Sequence, residues 1–459
     1  MVSTTVARAI YDYNPLGLLT TTTYANGTTE NNVYNPAGLL TSTINRRTSN
    51  NIIISQYDYT YYYNGNQRTK TDTTTTTIYN YDGRDQLIKS ASSPRGGGAL
   101  STAEPIGIAQ PTNVSVNISS NGQNRFFSFT APVTGSYAIF SSNRVGNSPF
   151  GALYTSNWTL LNSDGDVGRE FMIRHSLTAG TTYIIMATAL SGTGNYSMLI
   201  TSPSGITHSY PAQALVQDYL YDTNGNRTRM ISNLSLTTYT YDRNDRLITE
   251  VKDGTTTTYS YDANGNNLTQ SNSITQNFDV LNRMTSYTRN GTSSFYTYYP
   301  DNMRRSKQTG NVTTTHIWVD DNISLDMNVN NVVSSYIRGL RLIRSGYGWY
   351  LYNGRTDVVQ LVNDGSTVLN NYDYDPYGNR LTTNSGNNPY LYCGEYFDTE
   401  SGYTYLRARY YDPKIGRFIN EDPVFDGTNW YVYCGNDPIN RVDPSGLWSK
   451  ELHYDWTLK

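Results

Sequence analysis

The sequence predicts an all-β protein: a spiral of Tyr-Asp (YD) repeat β-hairpins that forms a curled sheet or partial shell, with a β-sandwich (jelly-roll) domain inserted. Three observations predict this class. The 459 residues include 43 tyrosines, with many threonines and asparagines. Tyrosine and threonine favour pleated, half-buried strands, whereas asparagine and glycine favour turns. A Tyr-Asp pair recurs along the chain, and Asn-Gly or Asp-Gly follows most copies, which suits tight hairpin turns.

The first repeat region is predicted over residues 1–94. Its Tyr-Asp pairs are Tyr11-Asp12, Tyr57-Asp58 and Tyr81-Asp82, with a degenerate copy at Tyr34-Asn35. Residues 207–373 form the second region, in which Tyr221-Asp222, Tyr241-Asp242 and Tyr261-Asp262 recur every 20 residues and Phe278-Asp279 follows early. Tyrosines alternate with small hydroxyl residues between turns, so each hairpin has one aromatic face. A single hairpin cannot bury that face, and we therefore expect neighbouring hairpins to pair edge to edge.

Residues 95–206 interrupt the repeats. They contain no Tyr-Asp pair, begin near a glycine-rich linker and hold short strand-like runs at 125–129, 135–140 and 182–187. Such runs predict an inserted β-sandwich. Residues 126–131 and 177–183 resemble the bacterial pre-peptidase C-terminal type of jelly-roll domain, which implies an accessory binding or spacing module. Residues 162–166 are rich in Asn and Asp; they suit either a Ca²⁺ loop or a solvated hairpin turn, and we favour the turn.

The remaining segment, 374–447, carries the densest motifs. Tyr-Asp-Pro-Tyr-Gly-Asn opens it at 374–379, Leu-Arg-Ala-Arg-Tyr-Tyr-Asp-Pro follows at 406–413, and Asp-Pro-Ser-Gly-Leu closes it at 443–447. This segment is similar to the Rhs repeat-associated core, and the repeats at 1–94 and 207–373 resemble those of Rhs proteins, wall-associated Rhs proteins and insecticidal toxin-complex shells. The resemblance implies a secreted or cell-surface scaffold that coils into a hollow cocoon around a toxic C-terminal segment. About 340 residues of repeat and core favour an open or partial shell here, and we expect residues 448–459 to be a short tail without a toxin domain.

The resemblance also implies self-cleavage by an aspartic-protease-like core. By motif position the catalytic residues are Asp422, Asp443 and Arg409, and the cut bond joins Leu447 to Trp448. Two neighbouring carboxylates do not both ionise, so one serves as acid while its partner activates water. An arginine, always charged, orients one carboxylate.

Two alternatives to self-cleavage stay open, a structural role for these aspartates and a different function, and one loop departs from the family pattern. Asp-Pro pairs often start turns, and this chain has five, at Asp375, Asp412, Asp422, Asp437 and Asp443. The loop after Asp422 is shorter than in the family and lacks its glycine pairs, which affects the expected geometry. The alternative function is carbohydrate binding or adhesion at the cell surface without catalysis, through exposed tyrosines and the inserted domain.

Composition and scattered residues exclude other classes. A net charge of −3 and a pI near 5.8 argue against a nucleic-acid partner. No apolar run approaches the length of a membrane helix, and residues 1–8 lack the apolar core of a signal peptide. The four histidines have no metal-ligand spacing, so we expect no metal and no cofactor. Cys393 and Cys434 are either two small buried residues or a single disulfide.

Overall fold

The computed structural model describes residues 9–94, 114–118, 124–131, 134–165, 170–201, 215–232, 235–329, 331–382, 386–447 and 450–451. In these ranges every strand pairing is antiparallel, and the only helices are single 3₁₀ turns at Tyr392–Gly394 and Cys434–Asn436. The all-β prediction is confirmed. Neither turn has the length or the apolar character needed to cross a bilayer, and the described residues contain no other helix.

The first run of hairpins forms one continuous sheet in which each strand pairs with the next along the chain. Its strands are β1 (Ala9–Tyr13), β2 (Leu19–Tyr24), β3 (Thr28–Tyr34), β4 (Leu40–Arg47), β5 (Ile52–Tyr61), β6 (Gln67–Thr71), β7 (Thr75–Tyr81) and β8 (Leu87–Pro94).

The inserted strands form a β-sandwich. They are β9 (Val114–Ile118), β10 (Arg125–Thr130), β11 (Gly135–Thr155), β12 (Leu160–Asp164), β13 (Met172–Leu177) and β14 (Thr182–Thr201). The long strands β11 and β14 pair along both of their halves, with irregular register in the middle. One pair of halves is flanked by β9 and β13, the other by β10 and β12. Residues from both layers, such as Ile139 and Ile185, share one buried apolar cluster.

The sheet resumes after the insertion as though it had not been interrupted. β15 (Leu215–Tyr221) pairs with β8, with Leu215 opposite Ser92. Successive antiparallel pairing then continues through β16 (Arg227–Ser232), β17 (Ser235–Tyr241), β18 (Leu247–Lys252), β19 (Thr255–Tyr261), β20 (Asn267–Gln270), β21 (Ile274–Phe278), β22 (Met284–Arg289), β23 (Thr292–Tyr298), β24 (Arg304–Thr309), β25 (Val312–Val319), β26 (Asn322–Asn328) and β27 (Asn331–Ser335). We call this 21-stranded sheet the shell.

The C-terminal part consists of three smaller sheets that pack against the shell. The strands of the first are β28 (Ile337–Arg338), β29 (Leu342–Ser345), β30 (Gly348–Tyr352), β31 (Val358–Val362) and β32 (Val368–Asn371). The second contains β33 (Tyr396–Asp398), β34 (Tyr403–Leu406), β35 (Arg409–Asp412) and β36 (Arg417–Phe418), and the third β37 (Arg441–Val442) and β38 (Lys450–Glu451).

The repeated turns have a common hydrogen-bonding scheme. The Asp222 carboxylate accepts the backbone N–H groups of Asn224 and Asn226, at 2.9 Å each. The preceding tyrosine, Tyr221, donates its hydroxyl hydrogen to the Leu87 carbonyl at 2.9 Å. Leu87 belongs to the previous hairpin of the shell, which precedes the inserted domain in the sequence. The same cap is made by Asn14, Asn35, Asp82, Asp242, Asp262, Asp279, Asn353, Asn363 and Asp375. Each such turn is thus capped by its Asp or Asn.

This scheme corrects two of the repeat positions read from the sequence. Tyr11-Asp12 and Tyr57-Asp58 lie inside β1 and β5 and open no turn. The first turn is capped by Asn14, and the turn after β5 is closed by backbone bonds from Tyr62 to Asn66 and from Gly65 to Tyr62. An asparagine side-chain oxygen accepts the same hydrogen bonds as a carboxylate, so a capped turn does not require the Tyr-Asp dipeptide.

The two faces of the shell have different partners. Tyr79 and Tyr219 face Tyr377 and Ile439 of the C-terminal part in one buried cluster. On the opposite face, Ala91 and Ile231 pack against the aromatic and aliphatic side chains Phe126, Tyr154, Trp158, Ile184 and Met186 of the inserted sandwich. The inserted domain and the C-terminal part therefore lie on opposite faces of the sheet.

Candidate functional site

The three predicted catalytic residues come together, although they are far apart along the chain. Arg409 is the first residue of β35, Asp422 follows β36, and Asp443 follows β37 directly. Each of these residues is buried, with an exposed fraction of 3–4%. All three line one cavity of about 360 Å³.

Arg409 contacts both of the other predicted catalytic residues. Its Nη2 lies 3.1 Å from Asp422 Oδ2 and 3.9 Å from Asp443 Oδ2. Nη1 donates to the Trp430 carbonyl at 2.9 Å, and Nε donates to the Gly446 carbonyl. The guanidinium carbon is 3.6 Å from the centre of the Phe418 ring, which fixes the plane of the group from one side. One side chain thus holds both carboxylates and the closing segment of the core.

The closing segment, residues 443–447, is anchored beside Arg409. Asp443 Oδ1 accepts the Gly446 N–H at 2.8 Å, and the Ala408 N–H donates to the Ser445 carbonyl at 3.1 Å. Arg407 Nη1 donates to the Pro444 carbonyl. Leu447, the residue before the predicted cut, lines the cavity. Trp448 and most of the predicted tail lie outside the described residues.

Burial sets the protonation of the site. It raises the pKa of the Asp443 carboxyl, while the charge of Arg409 and the N–H groups of the closing segment act in the opposite direction. Burial also lowers the pKa of the Arg409 guanidinium to about 10, against the attraction of Asp422 and Asp443. The arginine remains a cation at neutral pH. Asp443 is accordingly suited to hold a proton, while Asp422 forms the closer ion pair.

The shortened loop after Asp422 forms one wall of the cavity. Asp422 Oδ1 accepts the Val424 N–H at 2.9 Å, so the carboxylate caps its own turn as well as contacting Arg409. Phe425 packs edge-on against Trp430, with ring centres 4.8 Å apart. Despite its missing glycine pairs, the loop leaves Asp422 in contact with Arg409.

Several residues of the site were not identified from the sequence. The Trp430 and Gly446 carbonyls act through backbone atoms, which leave no sequence signal. Asn429 contacts the shell through Asn224 and Asn226, about two hundred residues earlier in the chain. Such a contact has no periodicity by which a sequence could reveal it.

The cysteines are both free, and neither is arranged as a nucleophile. Cys434 lines the cavity, but burial raises the pKa of its thiol well above its usual value, so it remains protonated. In the described residues no group of three or more His, Cys, Asp or Glu side chains is arranged to hold a metal ion. Asp166, part of the proposed acidic turn, lies outside the described residues.

Comparison with known proteins finds toxins over parts of the chain. No family model matches. The tRNA3(Ser)-specific nuclease WapA of Bacillus spizizenii is 32% identical over 204 residues, 40% of this chain and 9% of that protein. Double-stranded DNA deaminase toxin A of Burkholderia cenocepacia is 34% identical over 109 residues, which are 21% of this chain and 8% of that protein. Toxin protein Tse5 of Pseudomonas aeruginosa is 44% identical over 64 residues, which are 14% of this chain and 5% of that protein. These relatives are Rhs polymorphic toxins, as the resemblance predicts, and the chain spans less than a tenth of their length.

The fold is similar to that of a larger toxin shell. A Tc holotoxin pore of Photorhabdus luminescens superposes on 99% of this chain with a TM-score of 0.59 and 16% identity, which uses 20% of that chain. A pre-peptidase C-terminal domain of a Bacillus anthracis collagenase matches 20% of this chain at a TM-score of 0.18, so the jelly-roll resemblance of the insertion stays a prediction.

Proposed function

We propose that this chain is a portion of a secreted or surface-associated Rhs shell, of the kind that holds a C-terminal toxin segment in full-length relatives, and that it cuts its own chain after Leu447. Two observations support the shell: the continuous sheet of capped hairpins, and the relatives named as toxins. One observation carries the cleavage proposal. Arg409 contacts Asp422, Asp443 and the Gly446 carbonyl together, one residue before the predicted cut.

The chemistry follows from this arrangement. Asp422, the carboxylate closer to Arg409, accepts a proton from a water molecule, whose oxygen attacks the Leu447 carbonyl carbon. Asp443, whose pKa is raised by burial, supplies its proton to the carbonyl oxygen as the tetrahedral intermediate forms. Collapse of the intermediate breaks the C–N bond: the proton that Asp422 took from water passes to the nitrogen of Trp448, and the proton on the former carbonyl oxygen returns to Asp443. The products are a carboxylate on Leu447 and an amine on Trp448, so each chain reacts once.

Mass spectrometry of the intact chain tests the proposal directly. We expect the purified protein to lack residues 448–459, and Asp443→Asn and Asp422→Asn to retain them. Asp437→Asn is a matched control, because Asp437 also precedes a proline and is also buried but lies outside the cavity lining. A wild-type chain that keeps its full mass from pH 4 to 9 overturns the cleavage proposal and leaves the shell.

The alternative of carbohydrate binding through the tyrosine-lined strands, as distinct from the inserted domain, requires exposed rings. Many strand tyrosines are instead buried, among them Tyr57, Tyr59, Tyr79, Tyr219, Tyr239, Tyr259, Tyr287 and Tyr296. These side chains stabilise the contact between the shell and the C-terminal part. Stacking on sugars is thus not available to them, and the structure gives this second function no specific support.

A further inference from the structure

The shell turn at residues 222–226 touches the segment that carries the candidate site. We call residues 222–226 the rim turn; its Asn224 and Gly225 line the same cavity as Arg409. The Gly225 carbonyl accepts Asn436 Nδ2 at 2.7 Å, and the Asn224 carbonyl accepts Asn429 Nδ2 at 3.1 Å. The rim turn therefore binds the core through its own backbone.

Asn226 makes the central contact of the rim turn. Its Nδ2 donates to Asp222 Oδ2 at 3.0 Å and to Asp245 Oδ1 at 2.6 Å. Two carboxylate acceptors fix the orientation of the amide, so its oxygen faces the core. That oxygen accepts Arg417 Nη1 at 2.8 Å and Asn429 Nδ2 at 2.7 Å.

The contact continues from Asn429 to the site. Asn429 Oδ1 accepts the Tyr431 N–H at 3.2 Å, which fixes the backbone on both sides of Trp430. The Trp430 carbonyl in turn accepts Arg409 Nη1 at 2.9 Å. Arg417 also contacts this segment, since its guanidinium carbon is 5.4 Å from the centre of the Tyr431 ring. A continuous series of short contacts thus connects the shell with Arg409.

We propose that Asn226, Asn429 and Arg417 are positioning residues for self-cleavage, which place the Trp430 carbonyl and through it the guanidinium of Arg409. The inference rests on the proposed function and names its regulation. The core reaches reacting geometry only when the rim turn has docked, so the chain cuts itself only after this part of the shell has folded. A displacement near 1 Å at a reacting group slows a reaction by about a hundredfold, which makes such control effective.

The hairpin formed by β19 and β20 supplies a matched control. Asn266 occupies the same position in the turn after β19, has the same exposed fraction of 1%, and donates to its own Asp262 and to Asn282. Its Oδ1 has no hydrogen-bond partner among the described residues. Asn226→Ala and Asn266→Ala therefore remove similar turn contacts, and only Asn226→Ala removes the contact with Arg417 and Asn429.

The experiment measures the rate of tail loss by intact mass after the full chain is refolded from denaturant, together with the thermal midpoint of each variant. We expect Asn226→Ala and Asn429→Ala to cut about tenfold more slowly or worse, and Asn266→Ala to cut within about twofold of wild type. We also expect the pH profile of cutting to move upward in Asn429→Ala, because a displaced Arg409 stabilises the ionised carboxylates less.

The outcomes separate the two proposals. If wild type keeps its tail, the proposed function fails. If wild type cuts and the Asn226 and Asn429 variants cut at its rate, only the positioning role is overturned. Equal slowing in Asn226→Ala and Asn266→Ala, with equal losses of thermal midpoint and an unchanged pH profile, shows a purely structural role and also overturns the positioning proposal.

Discussion

At the scale of single residues, Gly446 connects backbone geometry with the proposed chemistry. Its φ of 71° lies in the left-handed region, and a Cβ there would stand 2.6 Å from the Leu406 carbonyl oxygen and 2.9 Å from the backbone nitrogen of Arg409. Only glycine lets the closing segment approach β35 this closely. The approach in turn allows the Gly446 carbonyl to accept Arg409 Nε.

We therefore predict that Gly446→Ala stops tail loss and lowers the thermal midpoint, measured by intact mass and by thermal denaturation. Gly427→Ala is the control, since Gly427 has the same φ of 71° but nothing within 4 Å of a built Cβ. It carries only the backbone strain, about 1–2 kcal/mol. Equal effects of the two substitutions would show that strain alone, and not the approach to Arg409, explains the result.

A second prediction concerns Asp437, a buried residue whose carboxyl pKa burial raises to about 7. An acid with a higher pKa in the folded state stabilises the fold fully below its unfolded pKa, and this contribution is lost as the pH rises through the folded value. The free energy of unfolding of wild type relative to Asp437→Asn should fall by about 1–4 kcal/mol between pH 4 and 8. Denaturant titrations at both pH values measure it, with the exposed Asp12→Asn as control; a constant difference would contradict the assignment.

The residues of the candidate site show what a sequence can and cannot give. Asp422, Asp443 and Arg409 were placed by motif resemblance, and the structure brings them into contact; their catalytic role stays a proposal. Asn226 and Asn429 were not found, because amide-to-amide contacts across the chain depend on how the shell curves. No local pattern encodes that curvature.

At the scale of elements, the hairpin repeat was predictable because alternation and turn residues act locally. The exact register of the repeat was not predictable, since the Tyr-Asp dipeptide precedes a turn at some places and lies inside a strand at others. Asp279 caps the turn after β21 by accepting the Leu281 and Arg283 N–H groups at 2.9 and 3.0 Å. Asp12, in the Tyr11-Asp12 pair, is an exposed residue within β1.

We predict that Asp279→Ala lowers the free energy of unfolding by about 1–2 kcal/mol, because two backbone N–H groups lose their acceptor. Asp12→Ala should leave it within about 0.5 kcal/mol, as expected for an exposed site. Urea titration of both variants checks this. A larger loss for Asp12→Ala than for Asp279→Ala would restore the register read from the sequence.

At the scale of the whole molecule, the inserted sandwich is an addition to one face of a shell that is continuous without it. β8 and β15 are adjacent antiparallel strands, so the chain leaves and re-enters the shell at neighbouring positions. Docking depends on an apolar cluster and on Lys89, whose Nζ lies 2.5 Å from Asp218 Oδ1 and 3.9 Å from the centre of the Tyr154 ring. In the part of the chain that the structure describes, none of the residues that line the site cavity comes from the insertion.

Replacing residues 95–206 with a short Gly-Ser linker should therefore leave both the shell and tail loss intact. The replacement uncovers Ile231, which packs under the sandwich, so the variant also carries Ile231→Thr to limit association through that face. We expect tail loss at the wild-type rate by intact mass, and strand-dominated circular dichroism. The full-length Ile231→Thr chain is the control. A deletion variant that aggregates or stays uncut while this control cuts normally would mean that the sandwich is needed to close β8 onto β15, and that the shell is not an independent folding unit.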